Sequence, residues 1–414
     1  MRSTLFFVPH EIAGFPLFGV GLLLALIVVG YVTWLFYCLA RGRKNDAFEP
    51  LPMIGIGGAI VCFVLPAVES TWPDGTPIGL PIRGYGIMVL LGLISGIAIC
   101  IHRGRQLGID PDTIMGLGFW MMVTGVVGAR LFYVIQKWDD FQTIGEIFQF
   151  TEGGLVIYGG VLGGLLACTV YCFRKKLNLA ATADLVAPGF LIGLSFGRLG
   201  CLLHGCCFGG VCPESLPSIR FPHGSIPYQS QLNSGALVGI TTKDGKHPGV
   251  IDQVEKGSVA ERAGVAVGQQ LKGIAQRAVE KRVGDNPATP NEVFAEIQLD
   301  NGPIALLPSS LPHTSLPTHP SQIYSAINAA LLCALIWWLQ PFPRHDGVVF
   351  AASISLYAAS RFVLEWVRSD ESGQLGTSLT ISQLISLGAM TLAIAAILWL
   401  RSQTPGRSWN WGQA

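Results

Sequence analysis

LVAPGFLIGLSFGRLGCLLHGCCFGGVC, residues 185–212, begins as an apolar run long enough to enter a membrane and then carries a charge inside that run. Arg198 interrupts it, and Cys201, His204, Cys206, Cys207 and Cys212 follow within fourteen positions. An arginine at the centre of a span costs about 3 kcal/mol on insertion scales, so such a residue is usually kept because it faces a polar cavity or a partner. The run therefore reads as a membrane helix whose end carries chemistry.

The rest of the chain has the same character. It has 414 residues, of which 50% are hydrophobic and 13% charged, and its mean hydropathy is +0.49, which excludes an ordinary soluble domain. Charge-free windows recur at 19–40, 51–68, 84–101, 113–129, 153–173, 321–343 and 373–400. Two more, 185–203 and 347–366, are interrupted by Arg198 and by Arg361 with Glu365. The expected fold is an all-α polytopic membrane protein of about nine transmembrane helices. The first window has no A-x-A cleavage site and reads as a retained span.

Short loops carry Arg41, Arg43 and Lys44, then Arg103 and Arg105, then Arg174 to Lys176, then Arg344, and finally Arg401 and Arg407. These fall on alternate sides, and the positive-inside rule makes those sides cytoplasmic. The N-terminus and the long polar segment 213–318 are then expected outside and the C-terminus inside. The formal net charge of +1 gives no basis for binding nucleic acid.

The remaining arginines, Arg83, Arg130, Arg198, Arg361 and Arg368, fall near the outer helix ends, where topology does not call for them. Any one could snorkel to headgroups or pair locally, but five together favour an anion site. Tyr357, Arg361, Glu365 and Arg368 are spaced four, four and three, which puts them on one helical face. There Glu365 can orient Arg361, and a fixed guanidinium fork matches two phosphate oxygens. The anion available at the outer membrane face is a phospholipid headgroup.

Several motifs, in order, resemble the bacterial prolipoprotein diacylglyceryl transferase family. Arg83-Gly-Tyr85-Gly86 is similar to its R-x-Y-G element, Gly153 to Gly164 (GGLVIYGGVLGG) to its Gly-rich third core helix, and Gly197-Arg198-Leu-Gly200 to its G-R-x-G signature. His319-Pro-Ser-Gln322-Ile-Tyr324 resembles H-P-S-Q-x-Y, and Arg361-Phe-x-x-Glu365 with Arg368 resembles R-F-x-x-E-x-x-R. The resemblance covers about residues 80–400, less one insertion. The family signature continues with Asn, Asn and Glu where this chain has Cys201, His204 and Cys206, and the family's third-helix histidine is Tyr158 here.

The resemblance implies an enzyme of the inner membrane that moves diacylglyceryl from phosphatidylglycerol to the lipobox cysteine of prolipoproteins, forming a thioether and releasing glycerol phosphate. Its substrates would be phosphatidylglycerol and a prolipoprotein signal peptide with its lipobox, and no cofactor or metal is implied. The departing phosphate needs cations whose grip strengthens as charge develops, which suits Arg198 and Arg361, with Glu365 orienting them. The attacking thiol, of free pKa about 8.5, must become a thiolate, for which Tyr158 or His204 is the candidate base. Substrate binding falls to Arg83, Tyr85, Arg130, Gly200, His319, Gln322, Tyr324, Tyr357 and Arg368. The implied map is two additional helices (1–78), core helices one to four (79–219), a periplasmic insertion (220–318), core helices five to seven (319–402) and a cytoplasmic tail (403–414).

The glycines of 153–164 have a sufficient structural role, because small residues let membrane helices approach closely. For the cysteines three readings stay open: a disulfide among Cys206, Cys207 and Cys212, expected on an oxidising outer face; free buried thiols; and a metal site, disfavoured because paired C-x2-C knuckles are absent. Within the insertion, Gly257-Ser-Val-Ala-Glu-Arg-Ala-Gly264-Val-Ala-Val-Gly268 resembles a PDZ turn and helix, which marks about 236–306 as an α/β PDZ-like domain with a possible extended-peptide ligand.

Other classes fit less well. His10-Glu11-Ile-Ala-Gly14 lacks the second histidine of a zinc protease. Gly193-Leu-Ser195-Phe-Gly197 matches a nucleophile elbow in letters but lies inside a span, so Ser195 reads as packing. The non-enzyme alternative is a catalytically degenerate membrane scaffold that displays a PDZ domain.

Overall fold

The computed structural model describes residues 4–42, 48, 50–72, 75–141, 143–148, 154–243, 248–278, 293–368, 377 and 379–409. Its chain forms two compact units, one spanning Thr4–Gly86 and one built from Ile87–Phe150 and Gly154–Ala414.

In the N-terminal unit, β1 (Thr4–Pro9), β2 (Glu11–Ile12) and β3 (Phe15–Pro16) lead into α1 (Leu22–Ala40). The second apolar window folds as α2 (Leu51–Ala59), a π-helical turn (Ile60–Val64) and α3 (Leu65–Val68). Pro66 has no N–H for the carbonyl four residues earlier, and the ladder shifts there, with Leu65 N–H donating to Ile60 O. Then β4 (Ser70–Thr71) and β5 (Pro77–Arg83) complete an antiparallel sheet ordered β1-β5-β4. His10 does not wait for a metal: its Nδ1 lies 3.0 Å from the Glu69 carboxylate.

The second unit contains α4 from Ile87 onward (the helix spans Gly84–Gln106), then α5 (Pro111–Gln136), α6 (Ile157–Lys175) and α7 (Leu179–His204). After an inserted domain come α10 (Ser321–Leu339), α11 (Val348–Leu364) and α12 (Ile381–Ser402), giving the expected seven-helix core. With α1, eight helices among the described residues are long and apolar enough to cross a membrane. The second window is helical throughout 51–68 and contributes a further, shorter apolar helix, Gly57–Val68, among the described residues.

Small residues set the helix contacts. A methyl added at Gly128, Gly159 or Gly163 would collide with backbone across the α5/α6 seam, and one at Gly96 or Gly189 with backbone across α4/α7. Pro188 inside α7 cannot donate to Asp184 O, and in a membrane that orphan must be satisfied internally. Buried Gln340 does so, donating Nε2 to Asp184 O at 2.8 Å. The Asp184 carboxylate in turn accepts from Gly347 N and Phe350 N, both at 2.8 Å, and so caps α11. Arg103 donates Nε to Gln340 Oε1 at 3.0 Å, and Arg407 donates Nη1 to Gln340 O at 2.9 Å. Read from sequence as loop charges, Arg103 and Arg407 instead pin one end of the bundle.

The insertion comprises α8 (Ile226–Asn233), β6 (Ile240–Thr242), β7 (Gly249–Val254), α9 (Val259–Arg262), β8 (Gln270–Ala278), β9 (Val293–Leu299) and β10 (Gly302–Leu306). The five strands form an antiparallel meander, β10-β9-β8-β7-β6. Ala295, Ile297 and Leu299 alternate inward along β9, and Tyr228 and Leu232 of α8 join the same core. This core therefore reaches upstream to Tyr228, eight residues before the boundary expected at 236. The Gly257–Gly268 motif has a local explanation: Ser258 Oγ accepts from Glu261 N at 3.1 Å to start α9, and Gly257, Gly264 and Gly268 all hold positive φ.

Candidate functional site

Arg198 and Cys201 lie three residues apart near the end of α7, on one face. Arg198 hydrogen-bonds the Tyr357 hydroxyl and faces Cys201 and Cys207. The stripe expected on α11 forms with one change. Helix α11 stops at Leu364, a 3-10 turn covers Glu365–Val367, and Arg368 leaves in extended conformation. The tighter turn still returns Arg368 to Glu365: Arg361 Nη1 lies 2.9 Å and Arg368 Nη1 3.7 Å from Glu365 Oε2. Arg198, Arg361 and Arg368 are close enough to repel one another, and Glu365 is the carboxylate that pairs with two of them. Among the described residues the group carries more positive than negative charge at low hydration, an arrangement that favours a bound anion. Arg361 Nη1 and Glu365 Oε2 thus form a buried ion pair that fixes the guanidinium.

Residues of α12 complete the group, and the motif reading did not single them out. Thr380 Oγ1 donates to Glu365 Oε1 at 3.4 Å, and Arg361 Nη2 donates to Ser382 Oγ at 3.2 Å. Thr380-Ile-Ser-Gln383 is a capping box, T-x-x-Q, and that spacing was a readable signal for where α12 starts.

Beyond α7 the chain reverses. Gly205 ends the helix at φ +86°, and Gly205 N and Cys206 N both donate to Cys201 O, at 2.8 and 3.1 Å. Cys207 follows at φ +57°, in the left-handed region that residues with a Cβ rarely adopt. The turn folds Cys206 and Cys207 back onto Cys201, and their three sulfurs lie within 4.8 Å of one another. All ten cysteines are free thiols, so the disulfide expected among Cys206, Cys207 and Cys212 is not formed. Cys212 is drawn elsewhere, its N–H donating to Pro317 O at 2.9 Å. Hydrogen bonds from Cys201 and Cys206, with the guanidiniums of Arg198 and Arg368, hold the Cys207 thiol well below its usual range, while Cys206 is pushed up by the same contacts.

The HPSQ segment clamps this turn. Gln322 Nε2 donates to Cys206 O at 2.8 Å and Ser321 Oγ to Cys207 O at 2.7 Å. Gly209 N donates to His319 O at 3.1 Å, His319 N to Gly210 O at 3.0 Å, and Gly210 N to Val367 O at 3.1 Å. The Cys-rich turn is thereby sewn between the start of α10 and the end of α11.

A family model described as prolipoprotein diacylglyceryl transferase matches residues 75–399, which includes every element of this site. The chain belongs to the prolipoprotein diacylglyceryl transferase family. It is 33% identical to a Rhodopirellula baltica protein named phosphatidylglycerol–prolipoprotein diacylglyceryl transferase, over 98% of this chain and 92% of that one. Proteins of the same name from Clostridium tetani and Synechococcus elongatus are 25% and 24% identical, over 76% and 83% of this chain and 92% of each relative. The family match begins after α3, so α1, α2 and α3 lie outside it.

Other residues that the family motifs nominate are spread more widely. Arg130, expected to bind the headgroup, donates to backbone carbonyls of Ile147, Gly154 and Glu146 at 2.9, 3.2 and 2.8 Å and so holds the loop after α5. Tyr324 donates its hydroxyl to Pro217 O at 3.3 Å, and the Gln322 amide N–H is occupied by Cys206 O, so both support the rim where substrate contact was expected. Gln322 Oε1 and His319 Nδ1 remain buried without a hydrogen-bond partner. Gly200 is buried within α7. His204 is exposed as the last residue of α7, and Tyr158 is exposed in the first turn of α6. Arg83 ends β5 and Tyr85 opens α4, both within the N-terminal unit. Gly153 lies outside the described residues; Gly159 and Gly163 have the close-packing role expected of them, whereas a methyl at Gly160 or Gly164 would make only ordinary contacts at 3.5 and 3.8 Å. Ser195 donates to Ala326 O at 2.9 Å and is a packing residue.

Proposed function

We propose that this chain transfers the diacylglyceryl group of phosphatidylglycerol to the lipobox cysteine of prolipoproteins. The observation that carries the reading is the gathering of Arg198, Arg361 and Arg368 around the buried Glu365. The phosphate of the lipid sits among these guanidiniums. As the thiolate attacks the glyceryl carbon, the carbon–oxygen bond breaks and its electron pair leaves with glycerol phosphate. Fixed cations already aimed at that oxygen stabilise it without reorganisation. Glu365 orients Arg361 and Arg368, and Tyr357 orients Arg198. Gly200, His319, Gln322 and Tyr324 maintain the rim. The family resemblance makes Arg83 and Tyr85 the candidates for headgroup binding, and proton removal falls to His204 or Tyr158.

The alternating basic loops support placement in the bacterial inner membrane with the N-terminus and residues 213–318 periplasmic and the C-terminus cytoplasmic. The map of two leading helices, a seven-helix core and an insertion follows from that topology. The capped α9 turn and its three positive-φ glycines support a PDZ-like reading of the insertion, which would recruit preprotein by adding an extended segment to a sheet edge.

The test is mass spectrometry of a lipobox peptide incubated with purified protein in phosphatidylglycerol vesicles. A diacylglyceryl adduct on the cysteine is expected, reduced by roughly 10²-fold or more in Arg361→Ala. An unmodified peptide with folded wild-type protein sinks the proposal and favours the scaffold reading.

A further inference from the structure

We infer that Cys201, Cys206 and Cys207 form a binding site for a thiophilic divalent cation such as Zn2+, whose fourth position takes the thiol of the substrate cysteine. The inference rests on the transfer reading above and adds to it a means of holding the substrate thiol as a nucleophile.

The geometry has four parts. The three sulfurs lie within 4.8 Å of one another. Around a tetrahedral zinc with bonds of about 2.3 Å they would stand somewhat under 4 Å apart, so a small contraction completes the site. They are gathered against the backbone's preference, through the reversal at Gly205 and the positive φ of Cys207. Hydrogen bonds from Gln322 and Ser321 to the carbonyls of Cys206 and Cys207 hold that conformation. No fourth histidine, cysteine or carboxylate among the described residues joins them. Structural zinc sites are closed by four protein ligands, whereas catalytic sites use three and leave one position to water or substrate. The absence of C-x2-C knuckles, which argued against a metal in the sequence, is the mark of a site that is not a structural knuckle.

Charge agrees as well. Three thiolates and a divalent cation sum to one negative charge, and Arg198 and Arg368 face Cys207. The same arginine group would thus hold the lipid phosphate on one side and the metal–sulfur centre on the other, which brings nucleophile and leaving group to one place. Sulfur ligands select soft cations over Mg2+ or Ca2+.

The step balances without a redox partner. The substrate thiol replaces water at the cation and its proton passes to solvent. Its sulfur lone pair then forms the sulfur–carbon bond as the carbon–oxygen bond to phosphate breaks. The thioether, a weaker ligand than a thiolate, leaves the cation, whose oxidation state never changes.

The experiment uses the purified full chain. After loading with Zn2+ and removal of loosely held metal, elemental analysis should find one zinc per chain in the wild type and in Cys168→Ala, and none in Cys206→Ser or Cys207→Ser. In wild-type protein loaded with Co2+, sulfur-to-cobalt charge-transfer absorption is expected. It should intensify when a lipobox peptide is added and remain unchanged with the same peptide carrying serine for cysteine. Because the cobalt spectrum uses only wild-type protein, misfolding of a variant cannot hide the answer. Absence of retained zinc and of the cobalt band overturns the site, as does an intact-mass loss of two hydrogens that maps a disulfide within the trio. A cobalt band indifferent to the cysteine peptide overturns the capture of substrate. Metal content is read without turnover, so full transfer by metal-free protein would refute this inference and leave the proposed function standing.

Discussion

Replacing Gly209 with alanine would strike the point where three chain segments meet. An added Cβ would lie 2.7 Å from both His319 Cβ and His319 O and 3.1 Å from Val367 O. Carbon atoms pack at about 3.5 to 4.0 Å, so the turn must retreat by roughly 1 Å. The obstacles are backbone atoms and a Cβ, which cannot swing aside. The retreat strains three hydrogen bonds, Gly209 N to His319 O, His319 N to Gly210 O and Gly210 N to Val367 O. Overpacking of this kind costs about 1–3 kcal/mol. Gln322 and Ser321 tie the same turn through Cys206 and Cys207, so the sulfurs move with it. Displacement of about 1 Å at a reacting group typically lowers rate on the order of 10²-fold. Thermal unfolding in detergent and peptide transfer in phosphatidylglycerol vesicles are the paired assays. Gly197→Ala is the stability control, because its added methyl meets nothing within 4 Å. Wild-type stability and transfer in Gly209→Ala would refute the account of how the rim is held.

Glu365→Gln keeps the side chain's shape but removes the charge between Arg361 and Arg368; with the carboxylate's side chain 1% exposed and the arginines' 15% and 8%, a loss of about 1–3 kcal/mol is expected once partial hydration is allowed for. Transfer should fall at least tenfold through misoriented guanidiniums, and an unchanged melting curve with unchanged rate would remove Glu365 from the site. In the insertion, Tyr228 is fully buried and its hydroxyl has no hydrogen-bond partner, so Tyr228→Phe should match or exceed wild-type stability by up to about 1–2 kcal/mol. Burial pushes the Tyr228 phenol up to about 12. Because this folded value is raised, its contribution is complete below the unfolded value near 10 and is lost as pH climbs towards 12. Tyr228→Phe should remove that part of the alkaline unfolding, and identical alkaline profiles would contradict it.

Membrane class, the seven core helices and the arginine stripe were legible because each is a one-dimensional property. Apolar length sets a span, a charge inside one demands a partner, and spacings of four, four and three share a helical face. The glycine seam of α5 and α6 was readable on the same terms.

What the tertiary structure decided is which partners meet. Arg130 and Arg198 look alike in sequence, yet one is consumed by loop carbonyls and the other faces Tyr357 and the thiols. Four cysteines close in sequence allowed disulfide, metal or packing. The left-handed turn at Gly205 and Cys207 brings three together and sends Cys212 away to Pro317. Such choices depend on contacts between residues more than a hundred positions apart, as between Cys206 and Gln322, and local propensity carries no information about them.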